Sequence, residues 1–335
     1  MVDRMHTPVV DAAAIDRAVE VLRCGGIVAL PTETVYGLAA DADNEDAVRK
    51  LFAAKGRPAD HPVIVHVGGA DAFHEWAIEV PDAARVLTKA FWPGPLTLVF
   101  RRSARARDIV TGGQDTVGLR SPAHPWARAL LRAFGGGLAA PSANSFGRIS
   151  PTTAQHVIDD LGVKPRGKVD LILDGGPCPV GIESTIVDVC SDAPTLLRPG
   201  AITRDQLQEV LGRQVVDAGA QSARAPGRLE KHYAPHTPLA VMSVDELAAM
   251  LAKPGGARIA VLAPLSLLQN CRADVALAVA AAERADDYAR LLYSSLHRLD
   301  SSGADHLIVA APPTGSQWDA IHDRLRRAQA GAANG

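Results

Sequence analysis

Residues 213–237, RQVVDAGAQSARAPGRLEKHYAPHT, interrupt an otherwise regular alternation of strand and helix signals. The stretch is polar, rich in Ala, Gly and Pro, and holds neither a 2.0 nor a 3.6 period. A run of that length inside a compact protein is commonly disordered or functional. It divides the 335 residues into a larger N-terminal unit, 1–212, a linker, 213–237, and a smaller C-terminal unit, 238–330.

Each side of the break reads as α/β. DAAAIDRAVEVLRCGG is helix-periodic and stops at Gly25–Gly26. IVALP is a strand, and NEDAVRKLFAAKG is a helix introduced by Asp43 and ended by Gly56. PVIVHV, LTLVF, TVGLR, GLAA, VDLILD and STIVDV follow as strands separated by Gly/Pro turns or short helices. Thr203 and Gln206 make a capping box for a helix to about Leu211. Beyond the linker, LAVM, RIAVLAP, VALAV and HLIVAAP alternate with three helix-periodic segments, the pattern of a small parallel, Rossmann-like sheet.

Composition limits the function classes. Hydrophobic residues are 47% and charged residues 21%, with a net charge of −2. A globular protein follows, with no global attraction to a polyanion, so any anion site is local. Cys24, Cys178, Cys190 and Cys271 form no close pair, which argues against a disulfide framework or a thiolate zinc site. The first twenty residues lack an apolar signal core, and no apolar run approaches the roughly 18 residues of a membrane span. The expectation is a cytoplasmic protein that does not enter a membrane.

Polar groups gather at six places. The strand IVALP runs into TETVYG, where Thr32, Glu33, Thr34 and Tyr36 follow in quick succession. In AAKGRP, Lys55 and Arg57 flank Gly56 at a helix end; they either complement the helix dipole or form a fork aimed at an anion. In TVGLR, Thr116, Gly118 and Arg120 share a strand face ill-suited to an apolar core, either an exposed edge or a ligand wall. In APSANSFGRISP, Ser142 and Asn144 crowd a loop, and Ser150–Pro151 reads as an N-cap with proline at the first helical position. Such an N-terminus suits phosphate but equally needs no ligand. Ser184, Thr185 and Arg198 follow, and Lys231, His232, Tyr233 and His236 lie in the linker.

Common nucleotide signatures are missing. GVKPRGKV has Walker A spacing, but Val169 replaces the hydroxyl residue and Pro165 sits inside the loop. No strand is followed by G-x-G-x-x-G, and the eleven histidines show no HExxH spacing.

Taken together, PTETVYGL, KGRP, FWPGPLTLV, VGLRSP, APSAN, ESTIVD, LLRPG and APGRLEKHYAP resemble, in order, the threonylcarbamoyl-AMP synthase family in its longer two-domain form. The resemblance implies a YrdC-like twisted mixed sheet with helices, joined by the linker to the Rossmann-like unit. It implies that L-threonine, bicarbonate and ATP become threonylcarbamoyl adenylate, pyrophosphate and water, with Mg2+ accompanying ATP. It makes Lys55 and Arg57 the catalytic pair. Thr34, His66, Arg120, Ala140 and Ser184 become threonine contacts. Lys55, Arg57, His61, Thr116, Ser142, Asn144, Ser150, Arg198, His232 and Tyr233 become ATP contacts, and the linker a lid. No metal ligand is assigned to a protein side chain. Proteins of tRNA modification would receive the product, and tRNA or other RNA is a further candidate partner. Two departures stand out: His61 occupies a position that is often asparagine, and the linker reads APGRLEKHYAP where relatives begin with serine and carry more basic residues. The rival reading is a non-catalytic RNA-binding module, disfavoured by only 4% aromatic residues.

Overall fold

The computed structural model describes residues 10–332 apart from 220, 221, 228, 254, 255, 270 and 272. The expectation about a signal core therefore falls partly on residues 1–9, which lie outside the described residues. No helix among the described residues is long and apolar enough to cross a membrane.

A ten-stranded mixed sheet organises the N-terminal unit. From one edge to the other its strands are Val216–Asp217, Thr195–Arg198, Thr185–Asp188, Leu96–Arg101, Thr116–Arg120, Ile64–His66, Leu138–Ala139, Gly37–Asp41, Val28–Leu30 and Leu171–Ile172. Of these, Gly37–Asp41, Thr195–Arg198 and Val216–Asp217 were not foreseen. Gly37–Asp41 is GLAAD, whose small residues carry little strand propensity. It is a strand because it pairs antiparallel with both Val28–Leu30 and Leu138–Ala139. Val216–Asp217 lies within the stretch read as linker and pairs parallel with Thr195–Leu196.

The helix Glu45–Lys55 packs Val48, Leu51 and Phe52 into the main core. Its N-cap is Asn44, not Asp43. Asn44 Oδ1 accepts from the amides of Asp46 and Ala47 at 3.1 Å, while Asp43 is drawn off to Arg105. Gly56 ends it with φ +65, a left-handed conformation that glycine adopts without a Cβ penalty. The helix Ala154–Asp160 is capped by Thr153, not by Ser150. Ser150 is buried three residues earlier and gives its hydroxyl to Glu183 at 2.5 Å. The phosphate argument drawn from a helix N-terminus at Ser150 therefore falls. The capping box of Thr203 and Gln206 is present on Arg204–Leu211.

The C-terminal unit is a four-stranded parallel sheet in the order Leu239–Met242, His306–Ala310, Ile259–Ala263, Val275–Ala280. The helices Ala285–Asp300 and Asp319–Ala332 bury Tyr288, Leu292, Leu296, Ile321 and Leu325 in one cluster. That cluster also contains Val35, Ile149, Ile182 and Tyr233. The C-terminal unit is thus packed against the other by apolar contact rather than merely tethered to it.

Candidate active site

Four separate segments meet at one cavity. Thr34 comes from the turn after Val28–Leu30, Arg57 from the end of Glu45–Lys55, Arg120 from the end of its strand, and Ser142 from the loop after Leu138–Ala139. His66, Ala140, Glu183, Ser184 and Arg198 complete the walls, and Pro226, Gly227, His232 and Tyr233 of the 213–237 segment cover it. The alternation in Thr116–Arg120 explains part of this geometry. Val117 and Leu119 enter the core, which turns Arg120 to the opposite face.

The walls are charged but internally paired. Arg120 Nη2 lies 2.7 Å from Glu33 Oε1, and its Nε donates to the Gly94 carbonyl at 3.3 Å. Arg198 grips the Ser184 carbonyl through Nε and Nη2, at 3.2 and 2.8 Å, and reaches the cover through the Pro226 carbonyl at 2.9 Å. Ser184 Oγ pairs with Thr97 Oγ1 at 2.7 Å, and Thr34 Oγ1 with Thr32 Oγ1 at 2.9 Å. Glu183 accepts from Ser150, Tyr293 and Arg324. Burial pushes its carboxyl up, but the charges of Arg324 and Arg198 and these hydrogen bonds bring it down to about 2.

The Lys55/Arg57 fork does not aim both cations into one space. Lys55 Nζ turns into the neighbouring loop and donates at 2.5 Å to the carbonyls of Ser142 and of Asn144. Burial, and then the nearby Arg57 charge, hold its ammonium well below the usual lysine range. Arg57 Nη2 takes the Pro62 carbonyl at 2.7 Å while the guanidinium borders the main cavity and a second one. The second, of about 310 Å3, is lined by His61, Phe146, Arg224 and His232 among others.

Buried polar atoms without a hydrogen-bond partner collect here. They include Arg57 Nε, His66 Nδ1, Asn144 Oδ1, His232 Nδ1 and Tyr233 Oη. Buried polar groups are nearly always paired, so a cluster of exceptions points to a ligand site. Burial, and secondarily Arg120, hold His66 well below its ordinary value. Burial brings His232 down to about 3, with Glu183 opposing and Arg57, Lys55 and Arg198 assisting. Both imidazoles are neutral near pH 7. Tyr233 is also the one non-glycine with positive φ (62°) among the described residues, a strained backbone that recurs at functional segments.

Thr34, His66, Arg120, Ala140 and Ser184 all line the main cavity, as do Arg57, Ser142, Arg198, His232 and Tyr233. His61 lines the second. Lys55, Asn144 and Ser150 sit behind the wall, joined to it through Ser142 or Glu183. Thr116 borders neither cavity. Reasoning from sequence missed Glu183, Tyr293 and Arg324, and passed over Glu33. Glu183 stood beside Ser184 in GIESTIV, where a carboxylate flanking a buried strand was a usable signal. Tyr293 and Arg324 gave none, being ordinary helix positions far along the chain.

Comparison with known proteins agrees with this architecture. A family model described as telomere recombination matches residues 20–200, and one described as threonylcarbamoyl-AMP synthase, C-terminal domain, matches 202–330. The threonylcarbamoyl-AMP synthase of Bacillus subtilis is 39% identical over 326 residues, covering 95% of this chain and 93% of that protein. That of Pyrococcus abyssi is 37% identical, covering 92% and 91%. A crystal structure of P. abyssi Sua5 complexed with L-threonine superposes with a TM-score of 0.88 at 35% identity, covering 97% of this chain and 96% of that one. Matched over nearly its whole length by both domain models and by full-length relatives, the chain belongs to the threonylcarbamoyl-AMP synthase family.

Proposed function

We propose that the cavity joins L-threonine, bicarbonate and ATP into threonylcarbamoyl adenylate, releasing pyrophosphate and water. The observation that carries this is the meeting of Thr34, Arg57, Arg120 and Ser142 at a single cavity beneath Pro226, Gly227, His232 and Tyr233.

Arg120, oriented by Glu33, is the partner for the threonine carboxylate, since a guanidinium can grip it through two parallel N–H groups. Thr34, Ser184 and the small Ala140 shape the space beside it. The amine nitrogen forms a bond to the bicarbonate carbon and loses a proton, and a bicarbonate oxygen departs as water. Neutral His66, with Nδ1 unpartnered, is the candidate to take that proton and pass it to the departing hydroxyl. A carbamate oxygen then attacks the α-phosphorus, and pyrophosphate leaves. Positioning and charge stabilisation dominate such transfers, so no covalent nucleophile is required.

Arg57, Arg198 and the Ser142–Asn144 loop would hold the triphosphate, with Lys55 fixing that loop through its backbone. His61, His232 and Tyr233 would contact the nucleotide from the second cavity and the cover. Ser150 acts only through Glu183, and Thr116, which borders neither cavity, is given no role. An ATP-using nucleotidyltransferase of this family implies a divalent metal. Among the described residues no group of three or more His, Cys, Asp or Glu side chains could hold one. Asn144 Oδ1 is a free oxygen donor at the loop, which suits Mg2+ carried by phosphates and water.

The main cavity measures about 50 Å3, against the roughly 300–1,000 Å3 of ordinary ligand clefts. The 213–237 segment would therefore lift to admit substrates and close to exclude water from a labile carbamate. The N-terminal unit to 212, this lid, and the unit from 238 are the working parts of the reading. Proteins of tRNA modification would take the adenylate, in the cytoplasm. Pyrophosphate release by the full chain tests the proposal: it should require both threonine and bicarbonate, and independence from either would sink it.

A further inference from the structure

Two side chains of the C-terminal unit hold residues that line the cavity. Arg324, in Asp319–Ala332, donates from Nε to Glu183 Oε2 at 2.9 Å, and Tyr293, in Ala285–Asp300, donates to the same oxygen at 2.9 Å. The other carboxylate oxygen takes the Ser150 hydroxyl. Arg324 is fixed in turn by the Pro199 carbonyl at 3.0 Å and Asp323 at 2.8 Å. Its guanidinium also lies 5.3 Å from the Tyr233 ring, and Tyr293 stacks obliquely on that ring at 5.7 Å. The two side chains therefore hold one residue of the cavity wall, Glu183, and one of its cover, Tyr233.

We propose that Arg324 and Tyr293 are positioning residues for the threonylcarbamoyl transfer, setting the wall at Glu183 and Ser184 and the closed position of Tyr233. The proposal rests on the function assigned above. Glu183 is too well paired to act as a base, and it borders the reaction space without a free lone-pair partner for a proton. Its effect passes along the chain to Ser184, whose carbonyl anchors Arg198. The C-terminal unit, through these two helices, is thereby part of the catalytic apparatus, although it contributes no side chain to the lining of the cavity.

Removing Arg324 outright would strand a buried carboxylate, so milder variants are informative. Tyr293→Phe deletes one hydrogen bond, and Arg324→Lys keeps the charge but cannot reach Glu183, Pro199 and Asp323 together. Threonine binding to the full chain is measured calorimetrically with ATP analogue present, alongside kcat and KM for pyrophosphate release, well below the thermal transition. Tyr293→Phe is expected to keep a cooperative transition yet weaken threonine binding and raise its KM by roughly tenfold. Arg324→Lys should lose more, and Arg324→Met more again. Variants that bind and turn over like the unaltered chain, even with a lowered transition, would reduce the cluster to an interdomain staple. An unaltered chain that binds no threonine would overturn both this proposal and the functional reading, whereas normal binding there with unaffected variants overturns only this one.

Discussion

Glu33 and Arg120 form a buried ion pair of 2.7 Å on the wall of the cavity, with Glu33 Oε2 held by the amide of Ala123 at 2.9 Å. The carboxylate leaves the guanidinium charged and fixed while using only one of its faces. Arg120→Lys substitutes a point charge for a planar fork. It should raise the threonine KM at least tenfold, a cost of about 1.5–3 kcal/mol for a charged hydrogen bond. An unchanged threonine KM in steady-state pyrophosphate release would remove Arg120 from the carboxylate site.

Lys55, which the resemblance assigns to catalysis and ATP contact, does not line the cavity. In the structure it is buried and donates to two loop carbonyls. Lys55→Met keeps the length of the side chain and removes both donors. It should abolish most pyrophosphate release and also destabilise the protein by about 1–3 kcal/mol, visible as a thermal midpoint several degrees lower. Lost activity with an unmoved midpoint would return Lys55 to a purely substrate-binding role.

The difference between Lys55 and Arg57 shows what could be read in advance. Strand alternation placed Arg120 correctly because a period of two is local and its consequence is immediate. Gly56 was legible as a helix stop for the same reason. Where Lys55 Nζ goes depends on a loop 87 residues away, which no local pattern contains. Ser150 failed similarly: its serine-proline pair mimics a cap, but the buried Glu183 carboxylate competes for the hydroxyl and Thr153 takes the cap. The strand Gly37–Asp41 was missed because its stability comes from neighbours on both sides rather than from its own residues.

Acid should loosen the contact between the two units. His156 and His297 stack with ring centroids 4.0 Å apart, one from each unit. Burial, then the His297 ring, brings His156 down to about 4 from an ordinary 6.5, with Asp159 opposing. Burial lowers His297 too, against the Ser150 carbonyl, Asp300, Asp160 and Asp159. The unfolded chain therefore binds more protons between about pH 6.5 and 4. Stability is fully present above that window and is lost as pH falls through it. His66 and His232 act in the same direction, so the pair is isolated by difference. His297→Gln should flatten the fall of the thermal midpoint with acidification, and an identical slope in both proteins would discount the stack.

The proposed lid offers the sharpest test because Gly227 within it is sterically required. Gly227 has φ +76, and a Cβ there would overlap the Tyr233 hydroxyl and crowd Arg198 Nη1. Gly227→Ala thus combines a left-handed penalty of about 1–2 kcal/mol with a clash between cover and wall. Gly212 has φ +64 and open space around it, at the end of the helix Arg204–Leu211. Gly212→Ala carries the backbone penalty alone and leaves the cavity untouched. Turnover should fall at least tenfold in Gly227→Ala, with KM for ATP and threonine both raised, while Gly212→Ala loses some thermal stability and no activity. Equal activity in the two variants would mean that Gly227 and Tyr233 need not hold these positions for the reaction to proceed.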